Sequence, residues 1–244
     1  MTCENIEQII PVQPVNVVVG HYGVGKTNFA LNWALNLARA DVHVILVDFD
    51  VVNPYFRSSD YTELLESAGV RVIAPVLAGS SLDTPSISGA VTVAIETAYA
   101  QAGQSDAPIV IIDAGGDDVG ATVLGRFSES ISAGAYQMLY VVNKYRNLTQ
   151  DVESALEVMA EIQIKSHLSV TGVVNNSHLR DVTEVATITQ AYPFGVTCAQ
   201  VAGVPLVCTT APNSFLEQKN AALEVCGETA KFYPVRMLVR TPWE

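Results

Sequence analysis

Gly20-His21-Tyr22-Gly23-Val24-Gly25-Lys26-Thr27 fits the pattern G-x-x-x-x-G-K-[ST] at every defined position. The residue types carry a definite chemistry. Glycines let backbone N–H groups curl around phosphate oxygens without a Cβ in the way, Lys26 brings a cation to the β- and γ-phosphates, and the Thr27 hydroxyl is a Mg²⁺ ligand. Asn28, the next residue, belongs to the same nucleotide-contacting set. The loop follows the apolar run Val15 to Val19 and opens a helical pattern, the context this motif requires, with the positive end of a helix dipole behind the phosphates. The competing explanation is a glycine turn before a helix that happens to start with Lys and Thr. It leaves the completeness of the match without a cause.

Two acidic elements supply what a phosphate loop needs next. Asp113 closes the apolar run Ile109-Val110-Ile111-Ile112. An Asp at the carboxyl end of a strand beside the loop strand suits Mg²⁺ held through water. A helix-capping Asp is the plainer alternative, but Ala114-Gly115-Gly116 favours a γ-phosphate-sensing loop. Asp117 and Asp118 are expected to cap the following helix. Asp48-Phe49-Asp50 stands at the end of the strand after the loop helix. Asp50 is the first choice to orient an attacking water and contact Mg²⁺, with Asp48 in reserve; a turn-and-cap role competes for both.

Apolar β-branched runs and helical patterns must alternate to hold these residues. Strands are predicted at Val15 to Val19, Val42 to Val47, Val70 to Ala74, Ile109 to Ile112, Met138 to Val142, Val170 to Val174 and Val204 to Thr209. Helices are predicted at Thr27 to Ala40, Gly89 to Ala102 (well buried, having few charges), Val119 to Ala133, Thr149 to Ile164, around Asp181 to Ala191, and Ser214 to Phe232. Continuous apolar strands separated by helices imply an α/β fold, a mostly parallel sheet with helices on both faces. No repeat or linker divides the chain, so residues 1–244 are expected to form one nucleotide-binding domain. Leu77 to Ser88, rich in Gly, Ser and Pro, is the expected mobile loop.

The composition narrows the function classes. With 49% hydrophobic and 16% charged residues, the chain can bury a large core. The apolar runs fall well short of the ~20 residues a membrane span needs. Acidic residues near the start, with no basic apolar leader, point to a cytoplasmic protein. The net charge of −12 comes with scattered basic residues and no basic run, which argues against nucleic acid and anionic membranes as partners. The four cysteines form no C-x-x-C pair, so a zinc or iron–sulfur site within one chain is not expected.

The three acidic and glycine elements, with Asn175 later in the chain, resemble in order and kind the pattern of the MinD/ParA (SIMIBI) class of P-loop ATPases. That class includes the nitrogenase iron protein and several metal-centre maturation NTPases. The resemblance covers most of the chain and implies ATP and Mg²⁺ at the strand ends, homodimers closed over nucleotide, and a nucleophile-positioning role for Asp50. It also implies that Val173-Val174-Asn175-Asn176-Ser177 ends the base-recognition strand, with Asn175 at adenine, since an amide offers both a donor and an acceptor. Thr209 to Asn213 is expected to wall the pocket from the other side. Asn143-Lys144 has no Asp at Arg146, unlike the guanine-reading N-K-x-D motif, which favours ATP over GTP. The chain departs from the class at His21, where a signature lysine reaches across the dimer, and at Tyr22, where glycine follows. His21 and Arg57 are the available substitutes. Asn53-Pro54-Tyr55-Phe56-Arg57 is expected to be a switch or docking segment.

These elements predict a slow ATPase whose nucleotide state controls a protein partner that the sequence does not name. Three alternatives compete: a small-molecule kinase using the Leu77 to Ser88 loop as a lid, a metal-centre maturation NTPase, and a binding module that does not hydrolyse. Ser214 to Phe232 mixes glutamates with two lysines, unlike a basic membrane-seeking helix.

Overall fold

The computed structural model describes residues 9–49, 58–74, 84–116, 118–147 and 149–239. Among these, eight strands form one parallel sheet: β1 (Val15–Val19), β2 (Val44–Phe49), β3 (Arg71–Ile73), β4 (Ile109–Ala114), β5 (Tyr136–Val142), β6 (Gly172–Asn175), β7 (Leu206–Pro212) and β8 (Phe232–Val235). Their spatial order is β3-β2-β4-β1-β5-β6-β7-β8. From β1 the chain winds outward to β2 and β3 and returns to β4. It then crosses to β5 and builds the other half. The two halves part beside β1, and in such sheets ligands bind at the carboxyl ends of the strands at this point.

Helices cover both faces: α1 (Lys26–Arg39), α2 (Thr62–Ser67), α3 (Thr84–Ala100), α4 (Asp118–Gly125), α5 (Ser128–Ser132), α6 (Val152–Ser166), α7 (Val185–Ala202) and α8 (Lys219–Cys226). Alternation along β1 shows the division. Val15, Val17 and Val19 join a core with α3, α6 and α7 residues such as Ile95, Met159 and Phe194. Val18 faces the other way, into a core with Phe29, Leu31 and Trp33 of α1 and Leu65 of α2. Burial on both faces is why these strands read as unbroken apolar runs.

Several predicted boundaries shift for identifiable reasons. The helix expected over Val119 to Ala133 is two short helices, α4 and α5, broken around Phe127. That ring is buried against Phe49, their centroids 5.0 Å apart. The helix expected near Asp181 to Ala191 begins later and runs through Pro193 to Ala202. Its buried face, Ile188, Ala191, Phe194, Cys198 and Ala199, outweighs the lost amide. The helix expected over Ser214 to Phe232 is corrected most. A 3-10 stretch (Asn213–Gln218) precedes α8, Gly227 at φ 95° ends it, and Phe232 starts β8. Sequence reasoning missed β8 because Pro234 interrupts the pattern; it is tolerated because the strand lies at the sheet edge. The short α2 was also missed. Over residues 89–100 the buried residues of α3, Val91, Ala94, Ile95 and Ala98, share one side and Val93 is 60% exposed, so this part of the helix is half-buried rather than well buried. Thr84 to Ser88 belong to α3, not to a loop, and the rest of the stretch from Leu77 lies outside the described residues.

Candidate functional site

The Gly20–Thr27 loop joins β1 to α1 at the parting of the two sheet halves. Gly25 sits at φ 93°, in the left-handed region, just before the helix, where a side chain would be strained. A Cβ there would also collide with the Asn176 carboxamide. Lys26 is nearly buried, and its ammonium donates to the His21 carbonyl at 3.1 Å. The lysine is thus folded over its own loop. His21 Nδ1 lies 3.1 Å from the Tyr22 carbonyl, and the Tyr22 ring is exposed.

Two carboxylates face each other beside this loop. Asp48 of β2 is in register with Asp113 of β4, and Asp113 is in register with Val18 of β1. Both aspartates are fully buried. Burial, and then the neighbouring Asp48 charge, push the Asp113 carboxyl up to about 7, against the pull of Ser58, Lys26 and Thr27. Oδ2 of Asp113 accepts from the Ser58 hydroxyl at 2.6 Å. Oδ1 has no hydrogen-bond partner among the described residues. A buried carboxylate oxygen left bare is costly, and a divalent cation would relieve it. The donor set of hard oxygens from Asp113, Asp48 and the Thr27 hydroxyl fits Mg²⁺.

The loop after β4 touches the phosphate loop. A Cβ on Gly116 would lie 2.5 Å from the Lys26 ammonium and 2.7 Å from the Tyr22 amide nitrogen. Only glycine lets the two segments approach this closely, in keeping with a loop that senses what the phosphate loop holds.

The end of β6 departs from expectation. Asn175 is fully buried, and its amide is committed within the chain. Nδ2 donates to the Ala191 carbonyl at 3.1 Å, while Oδ1 accepts from the Ser177 hydroxyl at 2.6 Å and the Ser177 amide at 3.3 Å. In this geometry Asn175 braces β6 against α7 and has no face open to a base. The next residue is the one tied to the site. Asn176 Nδ2 donates to the Val24 carbonyl at 2.6 Å, and its Oδ1 accepts from the Thr210 hydroxyl of β7. Sequence reasoning took Asn175 as the better match to the family pattern and offered Asn176 as a turn residue.

Asn28 is also engaged from a distance. Its Oδ1 accepts from the Leu238 amide at 2.9 Å and the Val239 amide at 3.3 Å, while Nδ2 is buried without a partner among the described residues. Asn32, one turn along, pairs both ways with the Arg236 backbone. The chain after β8 is therefore seated on α1 directly behind the loop. Asp50, the Asn53 to Arg57 segment and Asp117 lie outside the described residues.

The family model of the CbiA type, described as the CobQ/CobB/MinD/ParA nucleotide binding domain, matches residues 17–195. The chain belongs to this family. The MinD/ParA resemblance drawn from the motifs is therefore borne out, and the nucleotide-binding P-loop NTPase fold with it. No curated protein sequence matches the chain significantly. Among solved structures, it is similar to the signal recognition particle 54 kDa protein of Aeropyrum pernix K1 in complex with GDP, with TM-score 0.56 and 17% identity over 93% of this chain and 49% of that one. It is similar also to the signal recognition particle receptor FtsY of Elizabethkingia anophelis in complex with GDP, with TM-score 0.52 and 22% identity over 79% and 55%. The chloroplast FtsY of Physcomitrella patens gives TM-score 0.53 and 15% identity over 84% and 65%. The chain thus spans between half and two thirds of the length of these relatives, and at these identities the likeness is one of fold. In this CobQ/CobB/MinD/ParA member His21 stands early in the phosphate loop, its ring against the Tyr22 backbone. Among the described residues no helix is long and apolar enough to cross a membrane.

Proposed function

We propose that this chain binds ATP with Mg²⁺ on the Gly20–Thr27 loop, hydrolyses it slowly, and passes its nucleotide state to a protein partner. The observation that carries the reading is the bare Oδ1 of Asp113, buried opposite Asp48 and close enough to Lys26 and Thr27 to feel both. Bound there, Mg²⁺ would neutralise phosphate charge and polarise the terminal phosphoryl group. The Thr27 hydroxyl and Asp113 would hold it, with Asp48 adding negative charge behind. Lys26 would leave the His21 carbonyl for the β- and γ-phosphates, a small movement of a long side chain.

Asp50 is assigned the orientation of the attacking water. It stands two residues beyond Asp48, the first acid of the pair, which the fold carries to the site. The closeness of Gly116 to Lys26 and Tyr22 supports a switch. A terminal phosphate between these segments would be felt by both, and its loss would release them. ATP is favoured because Arg146, four residues past the end of β5, stands where a guanine-reading carboxylate is needed. A homodimer is part of the proposal through the family, with the exposed Tyr22 and half-exposed His21 on the surface such a dimer would close.

The test is calorimetric titration with ATP and with GTP in Mg²⁺, with released phosphate assayed in the same samples. ATP binding with slow phosphate release is expected. Preference for GTP would overturn the base assignment, and binding without release would favour a non-hydrolysing module.

A further inference from the structure

Ser58 lies 55 residues before Asp113 and is fully buried, yet its hydroxyl donates to Asp113 Oδ2 at 2.6 Å. It opens the 3-10 turn Ser58–Tyr61 that leads into α2. A buried hydroxyl costs free energy unless it is hydrogen-bonded, and a bond to a carboxylate is among the stronger kinds. The bond also has a geometric consequence. A carboxylate free to rotate about χ2 presents its two oxygens interchangeably. With Oδ2 held by Ser58, the plane of the group is set and Oδ1 is the oxygen kept without a protein partner. The Lys26 charge and the Thr27 hydroxyl also act on this carboxyl, both favouring its charged form.

We propose that Ser58 is the positioning residue of the metal carboxylate: it holds Asp113 so that one oxygen is reserved for the Mg²⁺ shell, and it thereby ties the 3-10 turn Ser58–Tyr61 to the occupancy of that site. The inference rests on the Mg²⁺·nucleotide reading above. Ser58 acts through Asp113 and not on the nucleotide. Its effect therefore appears only where the metal matters, and a hydroxyl that merely filled the core would not discriminate.

The experiment compares ADP affinity in Mg²⁺ and in EDTA for the wild type, Ser58→Ala and Ser58→Thr. Ser58→Ala is expected to lose about tenfold or more of the affinity gained from Mg²⁺, the scale of lost support behind a metal ligand, while the EDTA affinity stays within about twofold. Ser58→Thr, which keeps the hydroxyl, is expected to restore most of that gain. If Ser58→Ala fails to fold, hydrogen exchange on the wild type decides: the amides of Ser58 to Tyr61 are expected to slow with Mg²⁺ and ADP together and not with ADP alone. A Ser58→Ala variant whose Mg²⁺ titration matches the wild type overturns the inference alone, as does unchanged exchange. A wild type that binds no nucleotide in either buffer overturns the nucleotide reading and this inference with it.

Discussion

Asn176 reaches from the end of β6 to the phosphate loop, its Nδ2 donating to the Val24 carbonyl at 2.6 Å. The same side chain accepts from the Thr210 hydroxyl of β7, so a line of hydrogen bonds runs from the second half of the sheet into the loop. The loop is shaped by its own glycines and also by a residue 152 positions later. Asn176→Ala removes both bonds in a buried setting and should cost about 2 kcal/mol or more of stability. It should also weaken nucleotide binding by loosening the loop. Chemical denaturation and nucleotide titration check the two effects; unchanged affinity would show that the loop keeps its shape without this brace.

Lys26→Ala should abolish measurable nucleotide binding while leaving the fold intact. Its ammonium donates to the His21 carbonyl, but in the complex it would make charge-assisted bonds to phosphate, worth more than ~1 kcal/mol. Affinity retained within that margin by calorimetry would remove the loop from the site.

Gly116→Ala tests the contact between the two loops. Its Cβ would lie 2.5 Å from Lys26 Nζ and 2.7 Å from the Tyr22 amide nitrogen. The ammonium can move aside, but the backbone cannot, so the loops must part. A drop in triphosphate affinity larger than the drop in diphosphate affinity is expected. Equal losses would argue that Gly116 serves packing and does not sense the terminal phosphate.

The Asp113 carboxyl ties stability to pH. Ordinarily near 3.8, it is raised to about 7 in the fold, mainly by burial. A raised pKa means that the folded state binds this proton more tightly than the unfolded state. The contribution is therefore fully present below about pH 4 and is lost as pH rises towards 7, at about 1.4 kcal/mol per pH unit. Thermal unfolding in EDTA should show this fall in the wild type, and Asp113→Asn should remove it. Mg²⁺ competes with the same proton, so the metal-dependent part of nucleotide affinity should strengthen with rising pH up to about 7. Identical pH profiles for wild type and Asp113→Asn would separate Asp113 from both effects.

Asp50→Ala should leave Mg²⁺·ATP binding near the wild-type value and lower phosphate release by roughly 100-fold, the scale of a lost base or water-orienting group. Phosphate release in single-turnover samples measures it. Full turnover in the variant would move that role to Asp48, which the fold places opposite Asp113.

The sequence by itself determined the phosphate loop, its strand and helix, the strand-end position of Asp113, and the parallel sheet. Each is a local matter: the loop is eight contiguous residues, and a strand buried on both faces must be apolar along its whole length. What Asn175, Asn176, Asn28 and Ser58 do was decided only by the tertiary structure. Asn175 and Asn176 are adjacent and chemically identical, yet Asn175, the last residue of β6, turns its amide to α7 and Asn176, just past the strand, turns its amide to the loop. Asn28 meets Leu238 across 210 residues, and Ser58 meets Asp113 across 55. The edge strand at Phe232 and the passage of α7 through Pro193 belong with these, because packing against distant surfaces outweighed a local preference there. A polar side chain's role is set by whichever partner the folded chain brings within hydrogen-bond reach, and the spacing of nearby residues does not encode that partner.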